Sequence, residues 1–450
     1  MKTIAIIGGG WSGMLTAIQL LEKSKNIHVK VIHSEQSIGL GSAYSTTDEA
    51  HLLNVPAGKM SAFQKNPSHF IDWLKNNGYS SENIEAQFFP RYIYGKYITE
   101  LVDYHKKNKL LEFIHAKAID ITKQESAYRV LLSNSNSIRA DKIVLALGNF
   151  LPANPKSKST SFHLSSSYFQ NPWHTGYLKN LDLNKDVLII GTGLTMIDSV
   201  LSLKKNGLKG KIFVVSPRGY TSAAHSKQIT YPNFYHELKG KSLLEIFQIV
   251  RRHLKFAETK NSSWQGVIDS LRPHSQQIWI ALSKKEKQQF ISHIRHIWGI
   301  ARHRLPLTTY NEITILKKKE QLEIIGGRII DMQEKNGNVS IAINLRKNSA
   351  IRELVVSRVI NCTGPQNNYA ELTDELVQRL LSKKMILADD LKMGIKTTLN
   401  GNVLEKDEHI SSDIFAIGSL LRGVLWETTA VPEIRVQAEN IAMQIIDSIE

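Results

Sequence analysis

The sequence has one cysteine, Cys362, in 450 residues. A lone thiol excludes an intrachain disulfide and a Cys-x-x-Cys redox pair, and it fits a reducing, cytoplasmic compartment. Long apolar runs are missing as well, since none approaches the roughly 18 residues that a membrane span needs. The first apolar run, Ile4 to Ile7, stops at a glycine cluster with no h-region or cleavage site, so it does not read as a secretory signal. Negative charge is in deficit: 57 Lys and Arg face 41 Asp and Glu, a formal net charge of +16. Dinucleotides, nucleic acid and anionic membrane surfaces all suit such a balance. Metal chemistry is not expected, because His293, His296 and His303 come without an H-E-x-x-H pattern and without a thiolate cluster. No Ser–His–Asp or paired-carboxylate constellation can be read from spacing. What remains is globular: 42% hydrophobic and 22% charged residues exclude disorder and collagen-like repeats. The length suits two or three domains of roughly 150 residues.

The first informative stretch runs from Lys2 to Leu21. Thr3 to Ile7 is short, apolar and partly β-branched, as a buried parallel strand should be. Gly8, Gly10 and Gly13 follow as G-x-G-x-x-G, and Met14 to Leu21 continues at helical spacing. Gly8 suits a tight turn, Gly10 lets backbone approach a pyrophosphate, and Gly13 lets helix and strand pack closely. Trp11 and Ser12 open the helix, whose N-terminus offers free N–H groups and a positive dipole end to an anion. A second strand, Val29 to His33, ends at Ser34 and Glu35, where an acid would accept hydrogen bonds from ribose hydroxyls.

The pattern recurs. Asp186 to Ile190 leads into Gly191, Gly193 and Thr195, then a helix, then a strand from Lys211 to Ser216 and the turn Pro217-Arg218-Gly219. Gly8 to Glu35 and Gly191 to Arg218 both span 27 positions. Arg218 thus replaces the acid, which points to a ribose 2′-phosphate and to NADP rather than NAD. Met196 stands where the third glycine would be. Each unit then continues through a crossover to a returning strand, Asp141 to Gly148 and Ser357 to Gly364, ending in glycine. Two phosphate loops imply two dinucleotides, the pattern of a flavoprotein that takes hydride from a nicotinamide.

Further blocks carry a resemblance. They are Gly39-Leu-Gly41-Ser-Ala-Tyr44, His51-Leu-Leu-Asn54-Val55-Pro56 through Ser61, Phe89-Pro-Arg91-Tyr-Ile-Tyr94-Gly95, Ile414 to Gly423, and Trp426 to Arg435. Together they resemble the FAD–NAD(P)-binding family of the two-dinucleotide-binding flavoprotein superfamily. The resemblance implies FAD on the first unit, with contacts from Asn54, Val55, Gly148, Gly418 and Ser419 and from Thr428 and Thr429 at a helix N-terminus aimed at the flavin. Ser419 stands where most of the superfamily has an acid. Members with assigned activity are mostly NAD(P)H-dependent monooxygenases that hydroxylate purine rings or amino groups of small acids.

These readings predict an α/β chain of two Rossmann-like three-layer dinucleotide-binding domains with a helical insert in the second. Residues 1–150 plus 355–450 form the FAD domain; 180–355 form the NAD(P) domain, with a basic insert at about 236–304. A polar linker joins them from Pro152 to Pro172. Tyr220 to Leu305 holds 14 Lys or Arg, 5 Asp or Glu and 7 His. The insert reads as a substrate lid, a contact surface for RNA or membrane, or a solvated basic face. Its Trp264, Trp279 and Trp298 are expected to anchor its helices. Trp426 and Glu427 read as packing and capping residues or as cofactor contacts. His225 is the one catalytic candidate, and a bland loop histidine is the other reading of it. The expected activity is an NADPH-using, FAD-dependent monooxygenase hydroxylating a small polar molecule, with oxygen, through a flavin hydroperoxide. The alternatives are an NAD(P)H reductase serving a quinone or protein acceptor, and a flavin-bound RNA- or protein-binding module.

Overall fold

The computed structural model describes residues 1–158, 161–226, 230–335 and 337–449. The chain opens with β1 (Lys2–Ile7), buried throughout from Ile4 to Ile7. A central strand covered on both faces needs no polar alternation, so its run is continuously apolar. The helix Trp11–Lys23 follows, then β2 (Ile27–His33), an excursion containing the helices His69–Asn76 and Arg91–Lys106, and β3 (Leu111–His115). A three-stranded antiparallel sheet comes next, built from β4 (Ala118–Lys123), β5 (Tyr128–Leu132) and β6 (Ser137–Ala140). From it β7 (Lys142–Leu145) returns to lie parallel beside β1.

The second sheet takes β8 (Tyr168–Phe169), β9 (Val187–Ile190), β10 (Ile212–Ser216), β11 (Leu322–Lys335), β12 (Asn338–Leu345), β13 (Ile351–Val356) and β14 (Arg358–Asn361). The last segments, β15 (Asn402–Leu404), β16 (Ile410–Ala416) and the helix Val431–Asp447, rejoin the first sheet and pack on Trp11–Lys23. The sheet orders are β15-β16-β7-β1-β2-β3 and β13-β12-β11-β10-β9-β14-β8. In each, the chain first moves outward on one side of the opening strand and later returns on its other side. The reversal lies between β1 and β7, and between β9 and β14, which are the crevices where open α/β sheets take their ligands.

Two boundaries differ from the sequence reading. β14 pairs in parallel with β9, Arg358 opposite Val187, so the second unit runs past residue 355 to Asn361. The stretch read as a polar linker also supplies β8, an edge strand of that same sheet. Neither β8 nor β14 exceeds four residues, too short for a hydrophobic period to set its ends. β11 serves two pairings: it begins parallel to β10 and continues past a bulge at Ile329–Asp331 as an antiparallel partner of β12.

Between β10 and β11 the insert holds the helices Leu243–Thr259, Trp264–Leu271, Ser275–Ala281, Lys284–Gln289 and Arg295–Arg302, with a π-helical stretch at Phe290–Ile294. Ser242 and Ser283 start two of them with capping boxes to Glu245 and Glu286. Trp279 is fully buried and Trp298 partly so, but Trp264 is 38% exposed and anchors less than its type suggested. It is the first residue of its helix, while Gln265, Gly266, Val267, Ile268 and Leu271 make the buried side. Among the described residues no helix is long and apolar enough to cross a membrane.

Cys362 follows β14, buried beside Ser199, whose Oγ lies 3.4 Å from Sγ. Burial pushes its thiol pKa up to about 12, and only a thiolate attacks an alkylating agent. Iodoacetamide at pH 8 is therefore expected to leave the folded protein unmodified and to label one thiol in guanidinium, as mass spectrometry would show. Rapid labelling of the native protein would contradict this packing.

Candidate functional site

The two glycine loops are built alike. A Cβ on Gly8, at φ +118°, would collide with the carbonyl of Ala146 after β7; one on Gly191, at φ +104°, would collide with that of Cys362 after β14. In both units the turn therefore passes directly over the returning strand. The third positions differ. A Cβ on Gly13 would strike the carbonyl of Gly8, so this helix start presses on its own strand. Met196 at the matching place is fully buried, and the helix Leu194–Lys205 must stand farther off to admit it.

Gly10 and Gly193 are different again. Their backbones are ordinary and extended, with φ of −73° and −79°. A Cβ on Gly193 would meet nothing within 4 Å, and one on Gly10 only the Gly41 Cα at 3.8 Å. Nothing in the protein itself requires glycine at either position. Both stand at the N-cap of a helix, facing the crevice, where a diphosphate would lie against free N–H groups. Ser12 follows in the first turn. Trp11, in contrast, turns its ring into the core, edge-on to Tyr94 at 6.2 Å, and leaves only its backbone N–H for the loop. In the second loop Thr195 is half-buried in the first helical turn.

The recognition ends of the two units have opposite charge. Ser34 and Glu35 are exposed at the end of β2. Arg218, past β10, sends Nη2 to the Ser292 carbonyl of the insert at 3.3 Å.

The C-terminal segment closes the first site. Gly418 follows β16, with its N–H donated to Gln437 Oε1 at 2.9 Å. Ser419 donates its hydroxyl to the Gly148 carbonyl, so the serine that replaces an acid ties the end of β16 to the end of β7. Asn54 and Val55 line the other wall, Val55 buried and Asn54 half-exposed. Trp426 sits at φ +64°, ψ −67°, and the Glu427 N–H bonds the Leu425 carbonyl at 2.8 Å. This is a γ-turn that a bulky residue adopts at a cost on the order of 1–3 kcal/mol. The insert holds it: the Trp279 and Phe290 rings each lie 4.9 Å from that of Trp426. Gln276 and Trp279 donate to the carbonyls of Glu427 and Gly423 at 2.6 and 2.9 Å. The Glu427 carboxylate accepts from Trp298 Nε1 and Arg302 Nε, each at 3.2 Å. Both side chains are thus engaged by the insert. They set the approach to Thr428, Thr429 and the helix Val431–Asp447.

Buried polar atoms without a partner mark what these walls face. One group is Trp11 Nε1, Tyr94 Oη, Thr428 Oγ1 and Arg435 Nε, around the first loop and the last helix. Trp11 and Tyr94 face each other in the core, but Thr428 Oγ1, just before the last helix, suits the polar edge of a flavin and the open position at Gly10 suits its diphosphate, so FAD fits the residues present. A second group is His225 Nε2, Arg304 Nε and Glu433 Oε2, between the insert and the first unit. His225 lies against the Phe88 ring at 4.8 Å, and burial, then the Arg304 charge, push its pKa down to about 4. It is neutral at physiological pH. Burial raises the Glu433 carboxyl against the opposing Arg272, whose Nη2 is 4.0 Å away. Burial and the Arg272 charge lower Lys59 nearby.

The units are clasped where Arg91 pairs with Asp198, Nη1 to Oδ2 at 2.8 Å and Nη2 to Oδ1 at 3.3 Å, while its Nε reaches the Leu52 carbonyl at 3.2 Å. His51 and Asp48 bond Ser202 at 2.9 and 3.0 Å. The sequence reading noticed the block around Arg91 but gave it no task, since its partner lies over a hundred positions away.

Comparison with known proteins agrees with this construction. Residues 5–150 match the family model described as FAD-NAD(P)-binding. An uncharacterised protein of Escherichia coli K12, YdhS, is 21% identical over 99% of this chain and 88% of its own. Ornithine hydroxylase of Pseudomonas aeruginosa superposes with a TM-score of 0.68 at 12% identity, covering 100% of both chains. L-lysine 6-monooxygenase of Pseudomonas syringae does so at 0.67 and 14%, again over 100% of both. Residues 5–150 thus resemble the FAD-NAD(P)-binding family, and the whole chain has the two-dinucleotide-binding flavoprotein fold.

Proposed function

We propose that the protein is an FAD-dependent, NADPH-using monooxygenase acting on a small polar molecule. The observation that carries the two-cofactor reading is the pair Gly10 and Gly193: side-chain-free positions that neither backbone strain nor packing demands, at the same place in both units. FAD, held on the first unit by Gly10 and the helix N-terminus that follows it, would supply the hydride-accepting and oxygen-activating chemistry. The chain's own residues bind, orient and exclude water. Thr428, Thr429 and the N-terminus of Val431–Asp447 would hold the flavin's electron-rich edge, where a positive dipole end stabilises the reduced form. NADP(H) would lie on the second unit with its 2′-phosphate toward Arg218. His225, Arg304 and Glu433, whose unpaired buried polar atoms suit a polar ligand, would seat the substrate, with Arg272 and Lys59 beside them. His225, neutral there, can accept or donate a hydrogen bond but not supply a charge. Ornithine and lysine hydroxylases of this fold act on small polar molecules, which favours oxygen transfer over the reductase alternative.

Anaerobic reduction of the FAD-loaded protein by NADPH and by NADH, followed by mixing with oxygen, tests the reading. The expected result is faster reduction by NADPH and slow return of the oxidised-flavin spectrum. Immediate reoxidation together with rapid quinone turnover would favour the reductase, and no reduction by either nucleotide would remove the two-cofactor reading. Arg218→Ala is expected to weaken NADPH by about tenfold or more and NADH by much less, since one charge-assisted bond is worth roughly 1.5–3 kcal/mol. Equal loss for both would count against the 2′-phosphate assignment.

A further inference from the structure

Three basic side chains meet at the outer end of the second unit with no acid among them. Arg218 belongs to the turn after β10, and its bond to the Ser292 carbonyl holds that turn against the insert. Arg295 and His296 begin the helix Arg295–Arg302, directly after the π-helical stretch Phe290–Ile294. A π-turn widens the helix by one residue and so re-aims the side chains of the next turn, a device frequent at functional sites. Among the described residues neither Arg218 nor Arg295 has a carboxylate within 4 Å, although the protein pairs many of its other arginines: Arg91, Arg252, Arg302, Arg304, Arg352 and Arg379. Burial and the neighbouring Arg218 hold Arg295 below its ordinary pKa; burial, then Arg295 and Arg218, do the same to His296. The three groups therefore feel one another, and what they feel is repulsion. The two arginine charges, unrelieved by any acid among the described residues, form a site for an anion, with the His296 imidazole beside them as a neutral hydrogen-bonding group.

We propose that Arg295 and His296 of the insert join Arg218 to form the seat of the 2′-phosphate of NADP(H), making the insert a part of the nucleotide site. This rests on the two-cofactor reading above. The place selects this anion over others, because the turn after the second strand of a Rossmann unit is where the adenosine ribose is read. The same turn in the first unit ends in exposed Glu35, so the two units are opposite in charge at matching positions. A phosphate monoester offers several acceptor oxygens to guanidinium donors, and two arginines from different elements can grip different edges of it. Beside the cluster, Tyr220 is 42% exposed and the Arg346 guanidinium stands 6.0 Å over its ring. These flat groups suit an adenine base next to the phosphate. The insert thus contacts both ends of the chemistry: Phe290 and Trp298 hold the segment leading to the flavin, and Arg295 lies between them in sequence.

Calorimetry on the full-length, FAD-loaded protein tests this with adenosine 2′,5′-bisphosphate and adenosine 5′-monophosphate, which differ by the 2′-phosphate and lack the nicotinamide. The wild type is expected to bind the bisphosphate more tightly by a factor on the order of thirty. Arg295→Ala should weaken the bisphosphate about tenfold and leave the monophosphate unchanged, with Arg295→Lys recovering part of the loss. His296→Gln should act in the same direction by a smaller factor. Arg295 keeps much of its surface in solvent although its guanidinium is partly desolvated, and it pairs with no carboxylate among the described residues, so these variants are expected to fold; retained FAD with an unchanged Tm checks that. If Arg295→Ala leaves the preference intact while Arg218→Ala removes it, the insert is no part of the seat and the two-cofactor reading survives. An equal loss of both ligands in Arg295→Ala overturns the seat as well. A wild type that does not distinguish the two ligands overturns the seat and the NADP preference together, and reduction by NADH then decides whether the two-cofactor reading itself stands.

Discussion

Gly10→Val is expected to give a folded protein that cannot hold flavin, whereas Gly13→Val is expected to give little folded protein at all. The two glycines are three residues apart, yet they face different neighbours. A side chain on Gly13 would be driven into the Gly8 carbonyl and would also meet Ala146 Cβ and Ile6 Cγ2 at 3.2 Å. Backbone cannot yield there without separating β1 from its helix, and β1 is the centre of a fully buried core. Overpacking of this kind costs about 1–3 kcal/mol where side chains can adjust, and more where they cannot. Gly10 has room and an extended backbone that valine tolerates. Its added methyls would instead occupy the space a diphosphate needs, so FAD affinity should fall by two orders of magnitude or more, about 3 kcal/mol. Circular dichroism and flavin content of the purified variants separate the outcomes. Gly193→Val provides the matching test in the second unit: FAD kept, NADPH lost. A Gly10→Val protein that still purifies yellow would show that this loop does not cradle the flavin diphosphate.

The second large effect is expected at the clasp between the units. The Arg91 and Asp198 side chains are 18% and 16% exposed and meet through two hydrogen bonds. Asp198→Ala leaves the guanidinium nearly buried and unpaired, a change that costs about 3 kcal/mol when a paired charge loses its partner. Arg91 would keep its bond to the Leu52 carbonyl, so the cost falls on the joint and not on either sheet. Hydride transfer needs its donor and acceptor atoms about 3–3.5 Å apart, and a misplacement of about 1 Å slows it steeply. Reduction of flavin by NADPH in Asp198→Ala is therefore expected to slow by about tenfold or more, with FAD retained and NADP⁺ affinity near that of the wild type. The reversed pair, Arg91→Asp with Asp198→Arg, should recover part of the rate. An unchanged reduction rate with a lowered Tm would make the clasp a matter of stability alone.

Much of the architecture could be read directly from the residues. The apolar run before Gly8, the glycine spacing and the helix after it follow from local rules, because a buried parallel strand and a phosphate loop each need particular residues in a fixed order. The equal spacing of Glu35 and Arg218 from their loops was legible for the same reason. The short strands β8 and β14 were not: their place comes from pairing with β9 across long loops, and a strand of two or four residues has no period to detect. Ser419 was noticed as a departure, but its bond to Gly148 depends on two strand ends meeting. Trp264 looked like Trp279, and only the fold leaves one at the surface and buries the other.

The sequence by itself determined two glycine loops, the opposite charge at the ends of the strands that follow them and the α/β fold that carries them. These are short-range properties: each is set by backbone conformation and hydrogen bonding within one strand–turn–helix unit. Only the tertiary structure decided that Arg218 reaches Ser292 of the insert, that Asp198 grips Arg91, and that Glu427 is held by Trp298 and Arg302. Each of those pairs joins elements far apart in the chain, and the energy that selects them is burial of whole helix and sheet faces, which no local pattern of residues records.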